Sequence, residues 1–113
     1  MKTHKIGKYQ KGIRSEFYAS LIILLKGYKI IAKRYKCKRG EIDIIAFKSC
    51  QIIFIEVKSS MEADALSQLQ FSRIANAAEF FLANNRQYNK FERRFDLIQI
   101  KNLLNFKHHK NIW

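Results

Sequence analysis

The sequence has no proline, four glycines and two cysteines among its 113 residues. No linker, repeat or low-complexity segment is visible, so the chain reads as one domain, just large enough to bury a core without staples. Cys37 and Cys50 form no CxxC pair and have no histidine at ligand spacing, which excludes a zinc module. They flank opposite ends of one expected strand, beyond the ~7 Å that a disulfide tolerates between Cα atoms, so both are expected to be ordinary thiols in a reducing compartment. No apolar run approaches the ~20 residues of a membrane span. The lysine-rich start followed by the apolar run 21–25 imitates a secretory leader, but Glu16 stands at its entrance and no small-residue cleavage site follows. A soluble, cytoplasmic protein with no membrane partner is expected. Acids are scarce as well: 9 Asp and Glu face 22 Lys and Arg, a formal charge of +13. Such a chain attracts polyanions, of which nucleic acid is the commonest; an acidic membrane surface or an acidic protein satisfies the same arithmetic.

Hydrophobic residues make up 48% of the chain, which rules out a compositionally disordered one. Residues 1–12, rich in lysine and closed by Gly7 and Gly12, read as a basic arm ahead of a domain spanning 13–113. Ile13, Phe17, Leu21, Leu24 and Leu25 recur at three and four, predicting a helix over 13–26 that ends in a left-handed cap at Gly27. Strands are predicted over 28–35, 41–47 and 51–58, the last two joined by a hairpin. A second helix is predicted over 64–82 with an apolar stripe of Leu66, Leu69, Ile74, Ala78, Phe81 and Leu82, then a polar loop over 84–90 and a strand over 95–100. The tail 108–113 adds a short edge element. The order α-β-β-β-α-β defines an α/β fold, a mixed central sheet flanked by helices.

The hairpin carries the chemistry. If Ser49 and Cys50 form a two-residue turn, Lys48 pairs with Gln51, Asp43 faces Glu56 and Glu41 faces Lys58, all four on the same side of the sheet. Opposed carboxylates a few ångströms apart repel and want a shared proton or a cation. Mg²⁺ suits them, being a hard ion that takes one or two carboxylates with water and phosphate. Lys58 reaches the attacking water or the phosphate charge, so the set meets the needs of phosphodiester hydrolysis. The plainer alternative is a solvated salt-bridge ladder between Glu41 and Lys58. Against it, Asp43 is embedded in Ile42-Asp43-Ile44-Ile45 and Glu56 in Phe54-Ile55-Glu56-Val57, so both acids belong to central strands, and three of only nine acids meet on one face.

Arg39-Gly40-Glu41-Ile42-Asp43-Ile44-Ile45 followed by Phe54-Ile55-Glu56-Val57-Lys58 resembles the uncharacterised YraN family and, behind it, the PD-(D/E)xK, restriction-endonuclease-like superfamily that includes archaeal-type Holliday-junction resolvases. Ser15-Glu16 with Ala19 and Leu24, Gly27-Tyr28-Lys29-Ile30, Arg73-Ile74 with Ala77, Ala78 and Leu82, and Arg94-Phe95-Asp96-Leu97 extend the likeness over nearly the whole chain. The resemblance implies a restriction-endonuclease-like fold and a Mg²⁺- or Mn²⁺-dependent nuclease acting on DNA, including branched or otherwise structured forms. It implies that Asp43 and Glu56 hold the metal with the Val57 carbonyl, that Lys58 assists the nucleophilic water, and that Glu16 points at the metal site directly or through water. From the residues alone, Glu16 equally reads as an acid favoured by the helix dipole. Glu41 is placed as Lys58's neighbour. A homodimer is implied by the resolvase analogy alone. The chain departs from the family's pattern at Gln70, where a basic residue is usual, and in a shorter loop over 59–64.

Lys36, Lys38 and Arg39 in the basic turn are expected to contact phosphates, with Gln68 and Arg73 lining the groove. His108-His109 has no partner at ligand spacing, Asp96 reads as structural, and Tyr28, Tyr35, Phe47 and Phe54 as sheet packing. Two other functions stay open: a non-catalytic nucleic-acid-binding protein of the same fold, or an adaptor for an acidic protein surface.

Overall fold

The computed structural model describes residues 2–61 and 68–112, with side chains from Gly12 onward. Its elements are α1 (Lys2–Leu25), β1 (Lys29–Cys37), β2 (Gly40–Lys48), β3 (Gln51–Lys58), α2 (Gln68–Asn84), a 3₁₀ turn (Arg86–Tyr88), β4 (Glu92–Asn102) and β5 (Asn105–His109). The five strands lie in sequence order, with β3 and β4 parallel and every other pair antiparallel. This is a mixed α/β fold, as the sequence predicts. It adds one strand to the predicted order, since β5 starts at Asn105, ahead of the expected tail element. Helix α1 begins at Lys2 rather than Ile13, so the backbone of the lysine-rich segment continues the helix. The predicted start of α2 at Asp64 and its Leu66 lie outside the described residues.

The two helices cover opposite faces of the sheet. Ile44, Ala46, Ile53, Ile55 and Val57 pack with Ala19, Ile22 and Ile23 of α1. Ile45, Ile52 and Phe54 pack with Ile74, Ala77, Ala78, Phe81 and Leu82 of α2. On α1 the predicted stripe is not the buried one: Phe17, Leu24 and Leu25 are exposed, whereas Ser15, Ala19 and Ser20 are buried. Small side chains let the helix backbone settle onto the strands, and a pattern weighted by large residues selects the wrong face. Leu69 is likewise 70% exposed, so the buried stripe of α2 starts at Ile74.

Local chemistry fixes the ends that matter. Gly27, at φ +89°, donates its N–H to Leu24, and Tyr28 donates to the Ile23 carbonyl, the paired bonds of a Schellman cap. The predicted Lys48–Gln51 pairing is present, with Ser49 and Cys50 at φ 52° and 61°. Those angles define a type I′ turn, which matches the twist of the flanking strands but strains residues bearing a Cβ. Replacing Ser49-Cys50 by Asn-Gly is therefore expected to raise stability by about 0.5–1 kcal/mol, read as a higher urea midpoint at unchanged slope. Both cysteines are free, as predicted.

Candidate active site

The sheet's alternation breaks at the predicted acid. Ile42 and Ile44 are two residues apart yet serve opposite faces, Ile42 packing towards α2 and Ile44 towards α1. The residue between them is Asp43. On the neighbouring strand, between the pairs Lys33↔Ile44 and Tyr35↔Ile42, stands Arg34 with a left-handed φ of 53°. A non-glycine residue in that region inside a strand is uncommon, and the register stays unbroken across it, so Arg34 faces Asp43 with no extra residue. The β2–β3 ladder ends at the same point, its last pair being Ile44↔Ile55. Two residues beyond Ile55, the Val57 N–H donates to the Asp43 carboxylate at 2.8 Å in place of a backbone carbonyl.

This opening brings Asp43 and Glu56 into mutual contact. Burial raises the Glu56 carboxyl from 4.5 to about 8; the Asp43 charge and a hydrogen bond to Asp43 add to the rise, and Lys58 opposes it. Burial also raises Asp43, against the Val57 and Glu56 hydrogen bonds that lower it, with the charges of Glu16 and Glu41 adding to the rise. Both carboxyls are pushed up by burial, and two charges in contact there repel, so the pair favours binding a proton or a cation. The Lys58 Nζ lies 3.4 Å from Glu56.

A cavity opens on each side of this pair. The one beside α2, about 300 Å³, is lined by Glu41, Glu56, Lys58, Gln70, Arg73 and Ile74. The one beside α1, about 240 Å³, is lined by Gly12, Ile13, Glu16, Arg34, Lys36, Glu41 and Asp43. Glu41 borders both. The structure thus gathers Asp43, Glu56 and Lys58 at one point, with Glu41 and Arg73 beside them. Glu16 lies in the Asp43 cavity, but its carboxylate is bound by the Arg34 Nε at 2.7 Å. Among the described residues, no three His, Cys, Asp or Glu groups converge as a metal-binding set; the acids stand as a pair. Lys38 and Arg39 are exposed in the turn between β1 and β2, and Gln68 is exposed at the start of α2, lining neither cavity.

Sequence reasoning missed Arg34, because nothing in a strand that mixes Ile30 and Ile31 with lysines signals a left-handed arginine. It also missed what Gly40 does. A Cβ there would lie 2.4 Å from the Arg73 carbonyl oxygen, so glycine lets the α2 backbone rest on the hairpin beside the cavity.

The histidines belong to a separate structural cluster. Asp96, fully buried, accepts from Arg94 at 2.9 and 2.8 Å, from the Asn111 N–H at 2.9 Å and from His108 at 2.8 Å. Burial raises its pKa, and the His108, Arg94 and Asn111 bonds outweigh that, leaving it below the usual carboxylate range. The Lys26 ammonium can only donate to His108 Nδ1, so Nε2 carries the proton given to Asp96. His109 is bonded to Gln99 at 2.8 Å. No helix among the described residues is long and apolar enough to cross a membrane.

The fold and site together define a mixed α/β domain with a buried pair of contacting carboxyls at the margin of its central hairpin. The profile of the uncharacterised protein family UPF0102 matches residues 15–100, and the chain belongs to that family, as the likeness to YraN implied. It is similar to UPF0102 proteins of Mesorhizobium japonicum (38% identical over 96 residues, 81% of this chain and 77% of that protein), Agrobacterium fabrum (39% over 95 residues, 80% and 78%) and Bartonella bacilliformis (40% over 96 residues, 81% and 79%).

Proposed function

We infer that the protein is a divalent-metal-dependent nuclease acting on DNA, including branched or structured forms, in the cytoplasm. The observation that carries this reading is the buried contact between Asp43 and Glu56 with Lys58 at 3.4 Å from Glu56. Two acids in contact in a half-buried strand opening form a donor set that a hard cation fits, since it takes the place of a proton and ends the repulsion. Asp43 and Glu56 would hold Mg²⁺ or Mn²⁺ with help from the Val57 backbone and Glu16. Bound there, the ion would polarise a phosphodiester and acidify a coordinated water. Lys58 places an ammonium at the mouth of the α2-side cavity, where it can hold the water or offset charge on the phosphoryl oxygens. Arg73 and Lys36 supply cations to one cavity each, and Lys38 and Arg39 add charge at the turn between β1 and β2, so the strand's neighbouring phosphates have partners on both sides. The +13 charge would speed and strengthen encounter with a polyanion. The restriction-endonuclease-like resemblance supports the same reading, and a homodimer would let two such sites cut two strands.

The test is cleavage of branched, duplex and single-stranded DNA with Mg²⁺ or Mn²⁺. The wild type is expected to cut at least one form. Asp43→Ala/Glu56→Ala should lose at least about 10³-fold in rate while keeping salt-sensitive binding. Cleavage that survives in the double variant would come from another protein and end this reading.

A further inference from the structure

Three carboxylates, Asp43, Glu41 and Glu16, line the α1-side cavity. The third, Glu16, is drawn aside by Arg34, whose backbone is held in the left-handed region directly across from Asp43. A strained residue that places a charged side chain on a cavity wall is a functional candidate, because relaxed residues build an ordinary strand more easily. Arg34 is 45% exposed and shares the wall with Lys36, so an incoming anion can reach it without unfolding anything. A guanidinium bonds phosphate as well as carboxylate, through the same planar fork.

Resting on the nuclease reading, we propose that the α1-side cavity is a subsite for a flanking phosphate of the nucleic-acid strand, and that Arg34 is its anchor and a latch on Glu16. In the free protein the latch is closed. When a strand enters, the phosphate takes the Arg34 guanidinium, and Glu16 is released beside Asp43. The added carboxylate increases the negative charge at the pair and therefore its demand for a cation. Strand and cation binding are then coupled, each strengthening the other by the same factor. The exchange forms and breaks only ion pairs and hydrogen bonds. Arg34 is a positioning residue here, acting on the acid pair through Glu16.

Arg34→Gly is the informative variant, because glycine suits the left-handed backbone and the chain keeps its fold. Binding of a fluorescein-labelled single-stranded DNA oligonucleotide and of Mn²⁺, the latter by electron paramagnetic resonance, is measured with Lys58→Ala so that the strand stays whole. With Arg34 present, saturating DNA should tighten Mn²⁺ binding about five- to tenfold. With Arg34→Gly, DNA affinity should fall about tenfold and the salt dependence should lose roughly one phosphate contact. The coupling should vanish, and Mn²⁺ should bind more tightly than before in the absence of DNA. Glu16→Gln should also abolish the coupling while leaving DNA affinity equal or higher. If Arg34→Gly leaves DNA affinity, salt slope and coupling unchanged while Mn²⁺ binding still requires Asp43, the latch is refuted and the nuclease reading stands. If Mn²⁺ binding is absent, or indifferent to Asp43→Ala, both are overturned.

Discussion

Metal-free protein carrying Asp43→Asn is expected to resist heat better than the wild type above about pH 7, although it should cut no DNA. The Glu56 carboxyl rises from 4.5 to about 8 on folding. Between those values the folded chain keeps a proton that the unfolded chain has released, so stability falls as pH rises through the window and levels off above it. At about 1.36 kcal/mol per pH unit, the loss is on the order of a few kcal/mol, or roughly 10–20 °C in melting temperature for a domain of this size. Asparagine removes the Asp43 charge, can still accept from the Val57 N–H, and can donate to Glu56. The window should therefore narrow, and the difference between variant and wild type should grow with pH. Taking the difference also cancels the titration of distant groups. A saturating divalent cation should restore most of the wild type's loss and little of the variant's. Melting curves in a chelator from acid to mildly alkaline pH decide the matter. Parallel curves for the two proteins would show that no proton is shared.

Gly40→Ala should destabilise the fold by about 2–4 kcal/mol without touching any charged residue. Its φ of +157° disfavours a side chain, and the added Cβ would press on the Arg73 carbonyl at 2.4 Å and its carbon at 3.0 Å. Both are backbone atoms of α2, which cannot swing aside as a side-chain tip would. The helix must lift from the hairpin around Arg73, widening the cavity that Glu56, Lys58 and Arg73 line and loosening the packing of Ile74. Urea unfolding measures the first effect. A fall in DNA affinity larger than that of Arg73→Ala measures the second. An unchanged urea midpoint would show that the helix does not rest on this glycine.

Much of the acid pair's placement was legible because it depends on counting. A two-residue turn between strands of Ile, Val and Phe admits few registers, and Lys48 paired with Gln51 leads by arithmetic to Asp43 beside Glu56. The Gly27 cap was legible for a similar reason, since glycine after a periodic run has one common use. What lay hidden depended on non-local compromise. The ladder parts at Ile44↔Ile55 so that Asp43 can bond Val57, and no alternation pattern announces a side chain taking a backbone's place. The buried face of α1 was obscured because Ser15, Ala19 and Ser20 pack by being small. Glu16 illustrates the division: the resemblance aims it at the pair, while the fold shows it tied to Arg34.

The turn at Ser49-Cys50 limits how chains with this site can change length over evolutionary time. Inserting or deleting one residue between Lys48 and Gln51 would rotate one partner strand by half a pleat and send Asp43 and Glu56 to opposite sides. Drift in size is consequently channelled away from this corner and into the connection that follows Lys58 or into the C-terminal margin, where an added residue shifts no acid relative to the other.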